Sequence, residues 1–381
     1  MYISSYRYEN GIIIPQYSNQ LKSDFVAQLV LVFGQKQLIV DSIFNEQLKA
    51  YFPNAIIALT STSGEIIQET VCDNSIVITA LCMERTTLQA YRISIRDYSD
   101  SYAAGFSLSK YFATKDLAYI MLLSDGSLVN GSLLIKGFNE NIDSRIPITG
   151  GLAGDGTNFN DTVVGLNNIP SEGEIIAIGF YGDALRIGHA SIGGWEMFGP
   201  KKTITKSDGN ILYEIDHKNT LEVYKEYLGK YAADLPSAAL LFPLSIQNEI
   251  KNQELVRTIL RIDNEKDSLI FAGDVPMNTS FRFMKANFDK LIDAASNAAI
   301  LASTFHAPIQ PQYVLRISCV GRKIILNNRI DEEVEAVVDS LNKNSIVSGF
   351  YSYGELSPFN QSSSCQLHNQ TITITTFAEI E

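Results

Sequence analysis

Three short motifs in this chain set a carboxylate beside a glycine: Gly64-Glu65, Gly154-Asp155 and Gly354-Glu355. Glycine lets the backbone approach a ligand closely, and a neighbouring carboxylate can accept hydrogen bonds from it or receive an ammonium group. The middle motif ends the densest glycine cluster, Gly150-Gly151-Leu152-Ala153-Gly154-Asp155-Gly156. No Gly-Lys-Ser/Thr follows, so it is not a P-loop. It opens no apolar helix, so the dinucleotide fingerprint fails as well. It reads either as a pocket wall or as a tight turn that needs positive φ.

Further along, Cys319, Gly321 and Arg322 follow an apolar run. Arg322 can bind a carboxylate in bidentate fashion or make an ordinary surface ion pair. Cys319 is either a thiol activated by that arginine or a small buried hydrophobe. His368 and Asn369 stand in Leu367-His-Asn-Gln-Thr371. Cys365-x-x-His368 is half of a zinc site with no second half at the usual spacing. His368 therefore reads as a hydrogen-bonded core histidine or as a ligand contact. Of the other histidines, His217 lies in a polar stretch, His306 stands just before Pro308 in a loop, and His189 has no partner at metalloprotease spacing. Trp195 is the only tryptophan, and a core or interface position suits it. There is no Gly-x-Ser-x-Gly elbow and no Cys-x-x-Cys, so no nucleophile signature supports catalysis.

The elements that must position these residues are apolar runs and helical periods. Gln28–Gly34 and Ala55–Leu59 read as buried strands around a helix capped by Asp41. Ser75–Met83 and Leu88–Ile95 read as two more strands, adjacent and antiparallel. Tyr102–Phe112 and Val129–Asn141 read as helices flanking a strand over Leu117–Ser124. Thr220–Lys230, Asn287–Ser303 and Asp331–Leu341 have helical spacing. Ala238–Leu244, Val256–Ile262, Tyr313–Arg322, Ser345–Tyr351 and Thr371–Phe377 read as strands. Three segments repeat one plan of strand, helix, strand and glycine-acid turn. They begin near Leu29, Tyr119 and Val314 and end at Glu65, Asp155 and Glu355. This plan predicts right-handed crossovers and an internal duplication. Ligands bind such sheets outside the carboxyl ends of the strands, which is where the acids stand.

With 381 residues, 45% hydrophobic and 19% charged, the chain has ample material for a folded core. Its 42 acidic against 30 basic side chains, with no basic run, argue against nucleic-acid binding. No apolar stretch of roughly 18 residues predicts a membrane span, and Met1–Asn10 lacks a signal-peptide core. Four scattered cysteines (Cys72, Cys82, Cys319, Cys365) then suggest reduced thiols in a cytoplasmic protein.

Several segments together resemble the FIST family of sensory proteins. They are Gln28–Gly34, Ser61–Ile66, Gly150–Asp155, Ser318–Arg322, Gly349–Glu355 and Leu367–Thr371. The resemblance covers about residues 25–377. It implies a ligand-sensing module of bacterial signal transduction that takes a small molecule such as an amino acid. With no kinase or cyclase segment in sight, such a module would signal through a separate partner, for instance a histidine kinase. Some relatives look like haem-containing nitric oxide sensors. On that branch haem b is the cofactor and His368 its candidate axial ligand; otherwise no cofactor is expected. Covalent haem attachment is excluded, because no Cys-x-x-Cys-His occurs.

The expectation is an α/β protein, with α+β as the alternative. It has a leader or edge strand over residues 1–24, a FIST N-type domain over 25–218 and a FIST C-type domain over 219–381. Large mixed sheets draw strands from both halves. A pocket between the halves is expected to use Gly150, Gly151, Gly154, Asp155, Cys319, Arg322, Gly354, Glu355, His368 and Asn369. In it Arg322 would meet a ligand carboxylate, and Asp155 or Glu355 an ammonium. The competing class is an enzyme working with paired carboxylates such as Asp155 and Glu355.

Overall fold

The computed structural model describes the whole chain except residues 20–25, 236, 249–252, 305–308, 361–362 and 381, so His306 lies outside the described residues. It is a mixed α/β protein in which the sequence plan recurs three times.

In the first unit a hairpin, β1 (Tyr2–Glu9) and β2 (Ile12–Ser18), precedes β3 (Leu29–Gly34), α1 (Lys36–Ile39), α2 (Ser42–Tyr51) and β4 (Ile56–Ser61). Asp41 caps α2, as its position suggests, by accepting from Phe44 N at 2.9 Å. The hairpin β5 (Glu65–Ile67) and β6 (Thr70–Cys72) follows, then β7 (Ile76–Cys82) and β8 (Thr87–Ser94). The second unit runs through α3 (Ser101–Ser109), β9 (Leu117–Ser124), α4 (Gly131–Phe138), β10 (Ile148–Leu152), β11 (Val164–Leu166), β12 (Glu174–Tyr181) and β13 (Leu185–Ile192).

A separate layer comes next: β14 (Glu196–Asp208), β15 (Ile211–Ile215), β16 (Lys218–Asn219), α5 (Thr220–Leu228), β17 (Leu244–Asn248), β18 (Gln253–Arg257), β19 (Ile259–Asp263), β20 (Ser268–Phe271) and β21 (Ser280–Lys285). The third unit is α6 (Phe288–Thr304), β22 (Tyr313–Cys319), α7 (Val320–Leu326), α8 (Ile330–Asp339), β23 (Ile346–Ser352), β24 (Gly354–Pro358), β25 (Cys365–His368) and β26 (Ile372–Glu379).

Each unit builds a parallel pair, β3–β4, β9–β10 or β22–β23, flanked by an antiparallel third strand, β7, β12 or β26. Each then gives strands away. β5–β6 join β23, β11 joins β4, and β24–β25 join β10. β8 pairs with β12, β13 with β26, and β1 with β7. The result is three six-stranded sheets built around the same plan of three central strands. Two of them carry a pair of strands beside the parallel pair and a single strand at the other edge, and in the first sheet β11 and the β1–β2 hairpin reverse that arrangement. β7 and β8, expected as antiparallel neighbours, thus stand in different sheets, because each serves a different unit's parallel pair.

Side chains alternate across each strand. Leu29, Leu31 and Phe33 join Tyr119, Met121, Leu123, Tyr313, Leu315 and Ile317 in one core shared by all three sheets. The opposite faces are covered by α2, by α3 and α4, and by α6 and α8. Equivalent positions repeat at the centre. Tyr119, Thr149 and Thr375 are joined by two 2.7 Å hydrogen bonds. Tyr313, Ser348 and Thr79 occupy the matching register and are joined at 2.9 and 2.7 Å. The third set, Leu29, Ala58 and Ile178, is apolar.

Residues 196–285 form a further sheet with its own core around Tyr224, Phe271, Phe281 and Phe283. The expected Thr220 helix is present there. The expected strand Val256–Ile262 is divided into β18 and β19, and Ala238–Leu244 is largely a 3-10 turn.

Candidate ligand site

A cavity opens at the carboxyl ends of β9 and β10. After Ser124 the chain turns around Asp125, whose buried carboxylate accepts from Ser127 N (2.7 Å), Leu128 N (2.6 Å) and Gly173 N (2.9 Å). Gly126 follows. Its N–H donates to Thr162 Oγ1 at 2.8 Å, and a Cβ there would stand 2.1 Å from the Ala153 carbonyl. Asn130 caps α4 by accepting from Leu133 N at 3.1 Å, while its Nδ2 donates to Asp274 Oδ1 at 3.3 Å. The chain thus delivers the positive end of a helix dipole to a strand end.

Beside it lies the cavity, of about 570 Å³. Residues 126–131 and Leu152 form one wall, Phe271–Gly273 of the separate sheet the opposite wall, and Tyr353 the back. Phe159, Asn160, Asp161 and Asn210 stand at the rim. Phe159 stacks on Tyr353 with centroids 4.9 Å apart, and its N–H donates to the Tyr353 hydroxyl at 2.9 Å. Burial pushes that phenol up to about 12. The volume suits a small molecule. The lining contains no lysine or arginine, and Asp161 is its one carboxylate.

The residues expected at the site divide into groups. Gly150 and Gly151 are not in a turn: they lie in β10, fully buried. A Cβ on Gly150 would meet the Leu122 carbonyl at 1.8 Å, and one on Gly151 would meet Ile317 at 2.9 Å. Their task is close strand packing. Gly154 packs against Ser63 and donates its N–H to the Ser61 carbonyl at 2.9 Å. Asp155 does meet another acid turn. It lines a 210 Å³ cavity with Glu65, Asp73 and Asn74. Lys323 closes one side, donating to the Ser63 carbonyl at 2.9 Å and pairing with Asp73.

Glu355 is fully buried elsewhere. It accepts from Ser352 Oγ (2.7 Å), Thr371 Oγ1 (2.8 Å) and Thr371 N (3.2 Å). Burial raises its pKa to about 8. Glu65 is held in the same way by Thr62 (2.5 Å) and Ser75 (2.6 Å), and burial raises it to about 7.

Arg322 and Cys319 sit at the carboxyl end of β22. Arg322 is enclosed, and all three of its nitrogens are spent inside the fold: Nε on Glu333 at 2.8 Å, Nη1 on the Gly193 carbonyl at 2.5 Å, and Nη2 on the Leu291 carbonyl at 2.8 Å. It does not meet a ligand carboxylate in this arrangement, because Glu333, which also pairs with Arg316, already takes that place. Cys319 is buried, and desolvation pushes its thiol well up, so Arg322 does not activate it.

Gly354 packs on Leu152 and Leu367 behind the cavity wall. His368 Nε2 is 2.9 Å from the Ser357 carbonyl, its ring meets Phe359 edge-on at 4.7 Å, and burial depresses its pKa to about 4. Asn369 is fully buried, and neither of its amide atoms has a partner among the described residues. His217 is exposed, and Trp195 donates to the Gln370 carbonyl at 2.8 Å.

The cavity adjoins Leu152 and the Ser352–Gly354 turn of the expected segments, while most of its lining was not among the expected residues. Tyr353 stood inside a quoted motif, and Asn130 had the signal of a helix cap. Phe271–Gly273 carried no signal, because only the tertiary approach of the separate sheet brings them in. Among the described residues no group of three His, Cys, Asp or Glu side chains could hold a metal ion, no helix is long and apolar enough to cross a membrane, and the four cysteines are free thiols.

The family descriptions FIST N domain and FIST C domain match residues 28–218 and 220–358. The chain is also 23% identical over 232 residues to the uncharacterized protein MJ1623 of Methanocaldococcus jannaschii. That match takes in 53% of this chain and 43% of the relative, so the chain spans less than half the length of that protein. With both matches spanning most of its length, the chain belongs to the FIST family, an N domain followed by a C domain.

Proposed function

We propose that this protein is a sensor whose small-molecule ligand binds in the cavity between the β9–β10 strand ends and the separate sheet. FIST domains are associated with sensing in signal transduction. The observation that carries the reading is the 570 Å³ cavity with a mixed apolar and polar lining, a stacked aromatic pair and a helix N-terminus. An amino acid or a similar molecule suits it. With no cationic side chain in the lining, its carboxylate would rest on the first amides of α4, and an ammonium on Asp161. The cavity touches both halves of the chain, so filling it would change how Tyr353 and Phe271–Gly273 meet unit two. That change would be read by a separate signalling protein such as a histidine kinase in the cytoplasm. Binding needs no chemistry: Asp155 and Glu355, the pair an enzyme would use, stand in different surroundings.

The haem reading depends on His368. Its Nε2 faces the Ser357 carbonyl and its ring is sealed against Phe359, so this arrangement does not fit an axial ligand. An absorption spectrum with added haemin, compared with His368→Ala, reads that branch directly. For the cavity, a ligand panel is screened by thermal shift on the wild type and on Leu128→Trp, whose half-exposed side chain would fill the opening. A ligand at a hundred times its Kd stabilises by about 2.7 kcal/mol, and the variant is expected to lose that response. Equal responses in both proteins would refute the site.

A further inference from the structure

Three arginines are almost wholly buried among the described residues: Arg257 (5% exposed), Arg316 and Arg322 (0%). Arg316 and Arg322 share the carboxylate of Glu333. Among the described residues Arg257 makes no ion pair with a carboxylate. Its Nε donates to the Asp274 carbonyl at 2.9 Å, and its Nη1 to the carbonyls of Val256 and Leu367, both at 3.2 Å. Nη2 has no partner among the described residues. Burial holds its pKa down to about 10 against the pull of Asp274. A buried cation with no direct ion pair is costly, and an arriving anion would offset that cost.

The surroundings of Arg257 supply such a place. It lines a second opening, of about 330 Å³, between α4 and β25. The same opening is lined by Lys136, which is exposed and makes no ion pair or hydrogen bond among the described residues, and by Ser132, whose buried hydroxyl has no partner among them either. Asn139 fixes the far strand by donating to the Cys365 carbonyl at 2.9 Å. The one carboxylate in the lining, Glu140, interacts with the Tyr102 hydroxyl.

The geometry points to an oxyanion site in this groove, in which Arg257 Nη2, the Lys136 ammonium and the Ser132 hydroxyl bind a phosphate or carboxylate group. Planar guanidinium, point charge and hydroxyl donor complement the oxygens of either anion. This site shares no lining residue with the sensing cavity and does not depend on it.

The test is calorimetric titration of the full chain with inorganic phosphate and, separately, with acetate, at an ionic strength held constant with sodium chloride. Binding of one or both is expected. Phosphate alone would assign a phosphoryl ligand, and acetate as well a carboxylate. Loss of a charge-assisted hydrogen bond weakens affinity about tenfold, so Lys136→Ala is expected to do so, and Ser132→Ala by a smaller factor. Arg257→Lys tests the buried donor. If that variant does not fold, the two peripheral variants decide. Leu128→Trp, which fills the other cavity, should leave anion affinity unchanged. Neither anion binding beyond chloride, or wild-type affinity in both Lys136→Ala and Ser132→Ala, would overturn the site. So would loss of anion binding in Leu128→Trp, since the anion would then sit in the other cavity.

Discussion

Glu65 and Glu355 hold their protons to unusually high pH, because burial penalises each carboxylate more than its hydroxyl donors relieve it. Their folded pKa values of about 7 and about 8 lie above the ordinary 4.5, so the folded state binds more protons between those limits. Stability from these groups is therefore full below the unfolded pKa and is lost as pH rises through the folded values. His189 and His368 act in the opposite sense: burial lowers both to about 4, so acid below about 6.5 favours the unfolded chain, which takes up their protons. The sum predicts near-constant stability from about pH 4.5 to 6.5 and a fall from 6.5 to 8. Urea unfolding across that range measures it, and Glu355→Gln should flatten the upper limb. A rise in stability from pH 6.5 to 8 would contradict the assignment. Arg322 supports a second expectation. Its removal leaves Glu333 and Arg316 to share a buried site built for three charges, so Arg322→Ala should cost about 3–5 kcal/mol while leaving ligand affinity unchanged.

At the scale of elements, glycine position is dictated by strand register. Gly150 stands opposite Leu122 in β9, and Gly349 opposite Arg316 in β22, one step beyond the hydroxyls of Thr149 and Ser348. A Cβ at either would come within 1.8 Å of the partner strand's carbonyl. Gly150→Ala and Gly349→Ala should therefore each destabilise by about 3 kcal/mol or more. Gly156, where a Cβ meets nothing within 4 Å, should cost only the strain of its positive φ, about 1–2 kcal/mol. Chemical denaturation of the three variants separates the two mechanisms. The glycine cluster was legible as a cluster but not as a strand. A Gly-Gly pair lacks the β-branched residues that mark strands, and only the neighbouring carbonyl explains it. The strands around apolar runs such as Leu29–Phe33 and Tyr313–Cys319 were legible because they are buried on both faces. β14 was not, since its Glu, Lys and Ser residues are half exposed and show no apolar run. The ion pair of Arg322 was hidden too, because Glu333 reaches it only after α7 and α8 fold back.

The whole molecule is three strand-helix-strand units that exchange edge strands. The repeated acid turns announced the units, and sheets that draw strands from both halves were expected; which strands are exchanged could not be read, since pairing partners such as Glu65 and Phe350 are far apart in sequence. The ring closes through β1, which takes beside β7 the place that β8 and β13 take in the other sheets. Removing residues 1–18 should therefore expose the edge of β7 and part of the shared core around Ile3, giving an aggregating or unfolded chain in gel filtration. Retention of a monodisperse, cooperatively unfolding protein would show that closure is dispensable. The units also differ in a way that bears on function. Two carry a buried glutamic acid, held by hydroxyls, at the start of the exchanged strand. The second carries Asp155 in a cavity wall instead and keeps its own strand end open. The proposed sensing site thus lies where the three-fold plan is broken and the inserted sheet provides a cover. The most direct measurement is amide hydrogen exchange by mass spectrometry, with and without a ligand that stabilises the wild type. The account predicts added protection at residues 126–131, 271–273 and around Tyr353, absent in Leu128→Trp. Protection confined to other segments, or unchanged by that substitution, would contradict it.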